Sequence, residues 1–282
     1  MVMGPTHAMS GAAVWLVAAA FGSSLIGVAN PSLAVIFLGT AVIAGAALFP
    51  DFDSHSATAV RSFGVFGALM HQIVDGVSIL VYNLTRTKYD GSRENGHRTL
   101  MHTGIMAVLV GLAVSGLSSL THEVSIFGKA LTLGQVFSLL VMFIMLHLGI
   151  AGLFEKQVKK MRKSYGVYTL LLVSFAFTVL VGAFLPEGDT LPWLGICVTA
   201  GMLMHCLGDA ITKMGVPLLW PLKIRGKRWW DITLPRGLRI KAGGTFEYAV
   251  LLPGLTLITL IALIYHIPGV SDTVIPFLTG LF

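Results

Sequence analysis

Residues 32–58 read SLAVIFLGTAVIAGAALFPDFDSHSAT. No charged side chain occurs in residues 32–49, and Asp51, Asp53 and His55 follow directly after this apolar run. The run is close to the ~20 residues that a helix needs to cross a ~30 Å hydrocarbon core. The stretch therefore predicts a membrane helix that ends in a group of ionisable residues.

The composition of the whole chain indicates a membrane protein. Of its 282 residues, 55% are hydrophobic and 11% are charged, and the mean hydropathy is +0.83. A soluble domain is about 25% charged. Because lipid offers no hydrogen-bond partners to the backbone, we predict an all-α, polytopic membrane helix bundle with a single integral-membrane domain over residues 1–282. The seven predicted spans cover residues 10–29, 33–49, 101–120, 131–154, 166–185, 191–211 and 248–266.

The distribution of charge predicts the topology. Lys and Arg residues concentrate in two loops, 155–165 and 212–247, whereas the turn with Glu187 and Asp189 is acidic. This asymmetry follows the positive-inside rule, so we expect both basic loops and the N-terminus in the cytoplasm. The same rule explains the net charge of +6, and we predict no binding of nucleic acid.

An eighth apolar segment, residues 62–81, could either span the membrane or remain on one side of it. It contains His71 and Asp75, and an Asp at the centre of a membrane costs about 2.5–3.5 kcal/mol. If the segment spans the membrane, Asp51 and Asp53 lie outside. If it is interfacial or re-entrant, which we favour, both aspartates lie on the cytoplasmic side.

The non-spanning alternative gathers ionisable residues from five separated segments at the cytoplasmic ends of helices. They are His7, Asp51, Asp53, His97, His102, His205, Asp209 and Glu247.

The spacing of the histidines favours a shared site. His205 and Asp209 are four residues apart, so they project from one side of a helix. His97 and His102 are too far around a continuous helix to meet, and we expect His97 on the preceding loop and His102 on the first turn. A hydrogen-bonded pair and solvated interfacial histidines are the ordinary alternatives.

The two aspartates lie in a turn. Pro50 disfavours helix at Phe49, so residues 50–53 are expected to close the second span. Asp51 and Asp53 could converge there on one cation, or serve simply as turn residues.

Taken together, the four histidines and three aspartates predict a His/carboxylate metal site. Such a site suits zinc, manganese or iron, and the number of ligands allows two ions. Its typical chemistry is hydrolysis by a metal-acidified water. Arg98 would hold an anionic group of the substrate, unless it is simply solvated at the interface.

Four stretches in this order resemble the YdjM-like family of bacterial inner-membrane proteins. They are THAMSG, LFPDFD, GHRTLMH and HCLGDAITKMGVPLLWP, and LPRGLRIKAGGTFEYAV resembles the closing element of the family. These proteins are described as metal-dependent hydrolases and, in part, as LexA-binding, inner membrane-associated proteins. The chain departs from the family pattern at Met101 and Thr103 beside His102, and at Ser54 before His55.

The resemblance implies a function and a set of roles. The metal ligands would be His7, Asp51, Asp53, His97, His102, His205 and Asp209, and the catalytic residues Arg98 and Glu247. It implies one or two divalent ions as cofactors, zinc or manganese. It also implies that the protein lies in the bacterial inner membrane, in contact with membrane lipids, and acts on a lipid-linked or phosphoester substrate. His55, His71 and Asp75 receive no role.

Two other functions fit the same residues. The first is a proton- or cation-coupled transporter, because ionisable groups in membrane helices often form ion pathways. The second is a scaffold or regulatory protein that binds a cytosolic partner through residues 213–241. In that loop we expect Trp229 and Trp230 to be interfacial anchors.

Overall fold

The computed structural model describes residues 2–22, 28, 31–126, 128–184 and 191–267. The predicted acidic turn with Glu187 and Asp189 lies outside these residues. The described part contains ten α-helices, which are α1 (Gly4–Phe21), α2 (Leu33–Ala46), α3 (Thr58–Ser62), α4 (Val65–Thr85), α5 (Gly104–Ser118), α6 (Leu133–Leu153), α7 (Glu155–Tyr165), α8 (Thr169–Phe184), α9 (Trp193–Ala210) and α10 (Leu252–Tyr265).

Shorter elements connect these helices. The antiparallel strands β1 (Glu123–Ile126) and β2 (Lys129–Thr132) form a hairpin between α5 and α6. Three 3₁₀-helices cover Phe49–Asp53, Leu100–His102 and Arg236–Leu238, and a π-helical turn, Glu247–Leu251, leads into α10.

The predicted all-α membrane bundle is confirmed. Five segments are long and apolar enough to cross a membrane: Leu33–Asp53, Val65–Thr85, Leu133–Leu153, Trp193–Ala210 and Glu247–Tyr265. The α7–α8 pair would be a sixth, but it is bent by 113°. Each of the seven predicted spans coincides with a helix, and α5 is a shorter apolar one, so the number seven is approximate.

Helix α2 lies at the centre of the bundle, where it packs against α1, α6 and α9. Glycines allow this close approach. A Cβ atom on Gly45 would overlap the backbone of Met145 on α6, and one on Gly201 of α9 would overlap the backbone of α2. Small residues at such contacts let membrane helices come close enough for extensive van der Waals packing.

The ends of the helices define one polar face of the bundle, which we call the His/Asp face. Helices α2, α6 and α9 end at this face, and α1, α5, α8 and α10 begin there. His205 near the end of α9 contacts Ala47 after α2, and the backbone N–H of Gly104 at the start of α5 donates to Leu218 in the loop after α9.

Helix α1 begins six residues before the predicted start of the first span. Pro5 lies in its first turn, where its missing N–H costs no helical hydrogen bond. The earlier start places His7 inside the helix, so that its direction is set by α1 and not by a flexible tail.

Helix α4 corresponds to the apolar segment, residues 62–81, that could either span the membrane or lie along it. A Cβ atom on Gly64, just before α4, would lie 3.4 Å from the side chain of Val167 before α8. At the other end of α4, Thr85 accepts hydrogen bonds from Arg228 and Trp229. Between these ends, His71 is hydrogen-bonded to the Phe52 carbonyl. Both ends therefore contact segments of the His/Asp face, and α4 runs along this face, although its length and composition would allow it to cross.

The long loop after α9 is fastened to the C-terminal end of α4. Trp229 is only 3% exposed, and its ring centroid lies 5.0 Å from that of Trp220 and 5.1 Å from that of Tyr82. Our interpretation of Trp229 as an interfacial anchor was therefore wrong, because its ring is buried inside the protein.

Asp90 joins the same two segments. Its carboxylate accepts hydrogen bonds from the backbone N–H groups of Thr87, Arg228 and Trp229 and from the Thr87 hydroxyl. Burial opposes ionisation of Asp90, but these hydrogen bonds outweigh it and lower the pKa of the carboxyl group.

The position of α4 can be tested by labelling single cysteines in a variant without Cys197 and Cys206. Cysteines at the exposed positions Ser56 and Asn83 should react with a membrane-impermeant thiol reagent from the same side of oriented vesicles, because both ends of α4 contact segments of the His/Asp face. A cysteine at Ser125 in β1 should react from the opposite side. Labelling of positions 56 and 83 from opposite sides would show that α4 spans the membrane.

The Asp90 contacts should stabilise the fold in a pH-dependent way. Hydrogen bonds to a charged group contribute about 1.5–3 kcal/mol, so Asp90→Asn should lower the stability at neutral pH by about 2 kcal/mol. Because the pKa is lower in the folded protein, this contribution is complete above the unfolded pKa of about 3.9 and is lost as the pH falls through the folded pKa.

Thermal unfolding in detergent between pH 3 and pH 8 measures this difference. Glu94→Gln is the matched control, since Glu94 is exposed in the same loop. A difference between wild type and Asp90→Asn that does not change with pH would contradict the prediction.

Candidate metal centre

All seven predicted ligands come together at the His/Asp face, and six of them are buried, with His97 half-buried. We call these seven residues the His/Asp cluster. Three groups in it have one ligand atom from each residue within 4.8 Å of the others: His7, His205 and Asp209; Asp51, His102 and His205; and Asp53, His97 and His102. His102 and His205 each belong to two groups, so the three groups are continuous.

Helix α9 holds His205 in a defined orientation. The His205 Nδ1 atom lies 2.8 Å from the Ala47 carbonyl oxygen, which can only accept a hydrogen bond. Nδ1 therefore carries the proton, and Nε2 has a free lone pair directed into the cluster. As predicted, Asp209 lies on the same side of α9, with its Oδ2 atom 3.9 Å from His205 Nε2.

His102 faces His205 from the opposite side. It is the last residue of the 3₁₀-helix before α5, and its Nδ1 atom lies 3.1 Å from Asp53 Oδ2, which favours a proton on Nδ1. The Nε2 atoms of His102 and His205 are only 3.1 Å apart. Two neutral imidazoles in these tautomers would direct two lone pairs at each other, and a metal ion or a proton on one of the two Nε2 atoms would relieve this repulsion.

The two aspartates of the PDFD turn have different surroundings. The Asp53 carboxylate accepts from the Arg98 backbone N–H at 3.1 Å and lies 2.9 Å from His97 Nδ1, so it holds the loop before α5 in place. Asp51 Oδ1 is buried without a hydrogen bond, 3.6 Å from His205 Nε2. Asp51 is therefore the aspartate of this turn with a free ligand atom.

His7 completes the cluster from α1. Its ring stacks on that of His205 with the centroids 3.9 Å apart, and its Nε2 atom lies 3.4 Å from Asp209 Oδ1. Both ring nitrogens of His7 are buried without a hydrogen bond. The backbone N–H of Val2 donates to the same Asp209 oxygen, so the segment before α1 closes this side of the cluster.

Arg98 contacts the cluster and is not solvated at an interface. It is 2% exposed, and its guanidinium lies 2.9 Å from Asp209 Oδ2 and donates to the Gly215 carbonyl. Its backbone has φ 56°, in the left-handed region that residues other than glycine rarely adopt. Such a conformation persists only where the surrounding contacts enforce it, and it is frequent at functional sites.

A cavity of about 420 Å³ opens onto Arg98 and His97, and we call it the mouth cavity. Its rim includes Arg93 and Asp231, whose side chains form an ion pair at 3.3 Å. Burial raises the pKa of Asp231, although the neighbouring Arg93 opposes this effect. The mouth cavity therefore offers an approach to the cluster between two loops of the His/Asp face.

Glu247 does not join any of the three ligand groups. Its Oε1 atom accepts from the Met3 backbone N–H at 2.6 Å and its Oε2 atom from that of Gly243 at 2.7 Å. Both oxygens are occupied, so the contacts of Glu247 are those of a positioning residue for the segment before His7, and they do not support the predicted catalytic role.

The three residues without a predicted role lie beside the cluster. His55 is exposed, with its ring centroid 5.5 Å from that of His71, and Asp75 accepts a hydrogen bond from the Gly96 backbone N–H. These residues of α4 and the turn support the loops that carry Asp53 and His97.

The loop after α9 contributes to the site through contacts that the sequence did not predict. Thr212 and Gly215 both bind the Arg98 guanidinium, and Gly215 has φ 74°. In the sequence, these two residues were marked only by their position in the stretch HCLGDAITKMGVPLLWP. Gly215 acts through its backbone carbonyl, and every residue type has such a group, so no side-chain pattern could reveal this role.

Comparison with known proteins identifies the family of the chain. No curated protein and no solved structure is significantly similar to the chain. The profile of the YdjM inner membrane protein family matches residues 1–152 and 166–269, which include every residue of the cluster. The chain therefore belongs to the YdjM family of inner membrane proteins.

Proposed function

We propose that the His/Asp cluster binds one or two divalent metal ions and that the protein is a metal-dependent hydrolase at the membrane boundary. The observation that carries this proposal is the 3.1 Å separation of the Nε2 atoms of His102 and His205. Two nitrogen ligands at ~2.0–2.1 Å from one tetrahedral Zn²⁺ lie about 3.3 Å apart, so the two rings are spaced as ligands of a single ion.

The balance of buried charge supports a dication. Asp51, Asp53 and Asp209 are buried, and Arg98 is the cation that faces them. With neutral histidines this leaves two uncompensated negative charges, which are very costly in a low dielectric. A divalent ion would neutralise them and would also use the unsatisfied atoms of Asp51, Asp209 and His7.

The donor set fits a borderline metal. Imidazole and carboxylate ligands suit zinc or manganese, and the cluster contains no thiolate. When bound, such an ion acidifies a water molecule for attack on an ester or phosphoester. Within the chain, the Ala47 carbonyl and Asp53 fix the tautomers of His205 and His102, and Glu247 positions the segment that leads to His7.

The mouth cavity supports a substrate with an anionic group. Arg98 lies at its base and Arg93 at its rim, and a guanidinium binds phosphate or carboxylate oxygens through paired hydrogen bonds. The cluster lies at the ends of the membrane helices, so we propose a lipid-linked or phosphoester substrate. From the basic loops we further propose that the His/Asp face and the N-terminus are cytoplasmic.

The transporter alternative has less support. A transporter is expected to carry polar groups near the middle of the membrane. In the described spans, Asp and Glu side chains occur only at the His/Asp face. His147 of α6 is buried next to Ser174 and Phe63. Ion flux in proteoliposomes would favour transport, and a partner bound independently of the cluster would favour a scaffold.

Removal of a central ligand should release the metal. His205→Ala and Asp209→Ala should each lower the bound metal at least about tenfold, because even groups that only orient ligands contribute 10–100-fold to affinity. Elemental analysis of detergent-purified, zinc- or manganese-loaded protein measures the stoichiometry. His55→Ala, an exposed histidine of the same face, is the control and should bind metal like the wild type. A wild type without stoichiometric metal would refute the metal centre.

Arg98 should matter most for an anionic substrate. Arg98→Lys keeps the positive charge but loses the paired hydrogen bonds to the substrate. This loss should lower kcat/KM roughly 10- to 100-fold. We expect this loss for bis(4-nitrophenyl) phosphate and a smaller one for 4-nitrophenyl acetate, which has no negative charge. Arg86→Lys, at an exposed position before the same loop, is the control.

Control measurements separate an effect on substrate binding from an effect on folding. Metal content and thermal unfolding of Arg98→Lys must match the wild type, which separates substrate binding from folding. Equal hydrolysis by the wild type and Asp209→Ala, or hydrolysis that survives a chelator, would refute the proposed activity.

A further inference from the structure

A second cavity lies on the His/Asp face, separate from the His/Asp cluster, and we call it the basic cavity. It has a volume of about 430 Å³ and is formed by three elements. Arg61 of α3, three cations of α7 and Val167 before α8 line it; the three cations are Lys159, Arg162 and Lys163.

The cations of this cavity are largely uncompensated. Lys159 pairs with Glu155 at 2.6 Å, one turn earlier on α7. In the described part of the chain, Arg61, Arg162 and Lys163 form no ion pair. The positive-inside rule accounts for basic residues in this segment, but it does not require two separate elements to direct them at one cavity. Like charges around one cavity repel each other, and an anion between them would remove this repulsion.

The position of α7 gives the depth of the cavity. Helix α7 is bent by 113° from α8, so it runs across the end of a membrane helix. Its Val158 is buried against Ala151 of α6 and Leu170 of α8. Phe154 and Tyr165 are exposed at its two ends. A short amphipathic helix with aromatic residues at its ends and cations between them is typical of the headgroup layer.

We propose that the basic cavity binds the phosphodiester headgroup of an anionic phospholipid. Arg61 and Arg162 approach it from α3 and α7, and each guanidinium can form two parallel hydrogen bonds to phosphate oxygens. The cavity lies at the depth of the headgroup layer, and exposed aromatic rings flank it. A soluble phosphate would need neither feature, so we propose that the phosphate group belongs to a lipid. This site uses no residue of the His/Asp cluster and does not depend on the proposed hydrolase activity.

Native mass spectrometry of the full chain in detergent tests the proposal by titration with phosphatidylglycerol and, separately, phosphatidylcholine. Each Lys or Arg near an anionic headgroup contributes about fivefold, so the double variant Arg61→Gln/Arg162→Gln should bind phosphatidylglycerol roughly 30-fold more weakly. Phosphatidylcholine should bind weakly to both proteins. The double variant Lys223→Gln/Lys241→Gln removes the same charge from exposed positions of another loop on this face and should bind like the wild type.

The outcomes separate the possible ligands. Phosphatidylglycerol binding that is unchanged in Arg61→Gln/Arg162→Gln, or equal binding of phosphatidylcholine, would overturn the proposal. Displacement of phosphatidylglycerol by inorganic phosphate at an equal concentration would show that the cavity binds phosphate in general and would overturn the assignment to a lipid. Metal content and thermal unfolding should be the same in both double variants, so a loss of lipid binding with these values unchanged supports the site and cannot come from misfolding.

Discussion

Three carboxylates are buried at the end of a membrane helix bundle, and the surrounding structure is arranged to compensate them. Charge in a low dielectric must be paired or hydrogen-bonded, so each buried oxygen restricts the elements around it. Asp53 fixes the loop before α5, and Asp209 contacts the segment before α1, the Arg98 guanidinium and His7. The left-handed backbone of Arg98 is held by contacts at both its N–H and its guanidinium.

The buried acidic residues of the His/Asp face fall into two classes according to their partners. Asp90 and Glu247 accept backbone N–H groups and thereby fasten loops, and Asp75 does the same for Gly96. Asp51 instead retains a buried oxygen without a hydrogen bond, and the Oδ2 atom of Asp209 has the Arg98 guanidinium at 2.9 Å as its ion-pair partner. A carboxylate with satisfied oxygens is explained by the fold alone. The unsatisfied oxygen of Asp51 needs a further partner, whereas Asp53, which is also a proposed ligand, already accepts a hydrogen bond from the Arg98 backbone N–H.

The sequence predicts those parts of the structure that depend on local pattern. Apolar runs locate the membrane helices, and the i, i+4 spacing places His205 beside Asp209, because both signals reside in one helix. The roles of Trp229 and Glu247 depend on contacts between distant segments. A buried Trp and an interfacial Trp look the same in a sequence, and so do a catalytic Glu and one that binds backbone N–H groups. Helix α1 begins at Gly4, before the apolar run that predicts the first span, so its first turn includes the polar residues Thr6 and His7.

The orientation of α4 determines how the cluster can be reached. One side of this helix contacts the PDFD turn and the loop with Gly96, and the other exposes an apolar stripe that includes Phe66, Ile73 and Leu80. An apolar stripe on a helix that lies along a membrane face is buried at low cost in the adjoining lipid. With α4 in this position, its own side chains cover this side of the cluster. The mouth cavity lies instead between the loop with Arg93 and the loop with Asp231, and the ion pair of these two residues is part of its lining.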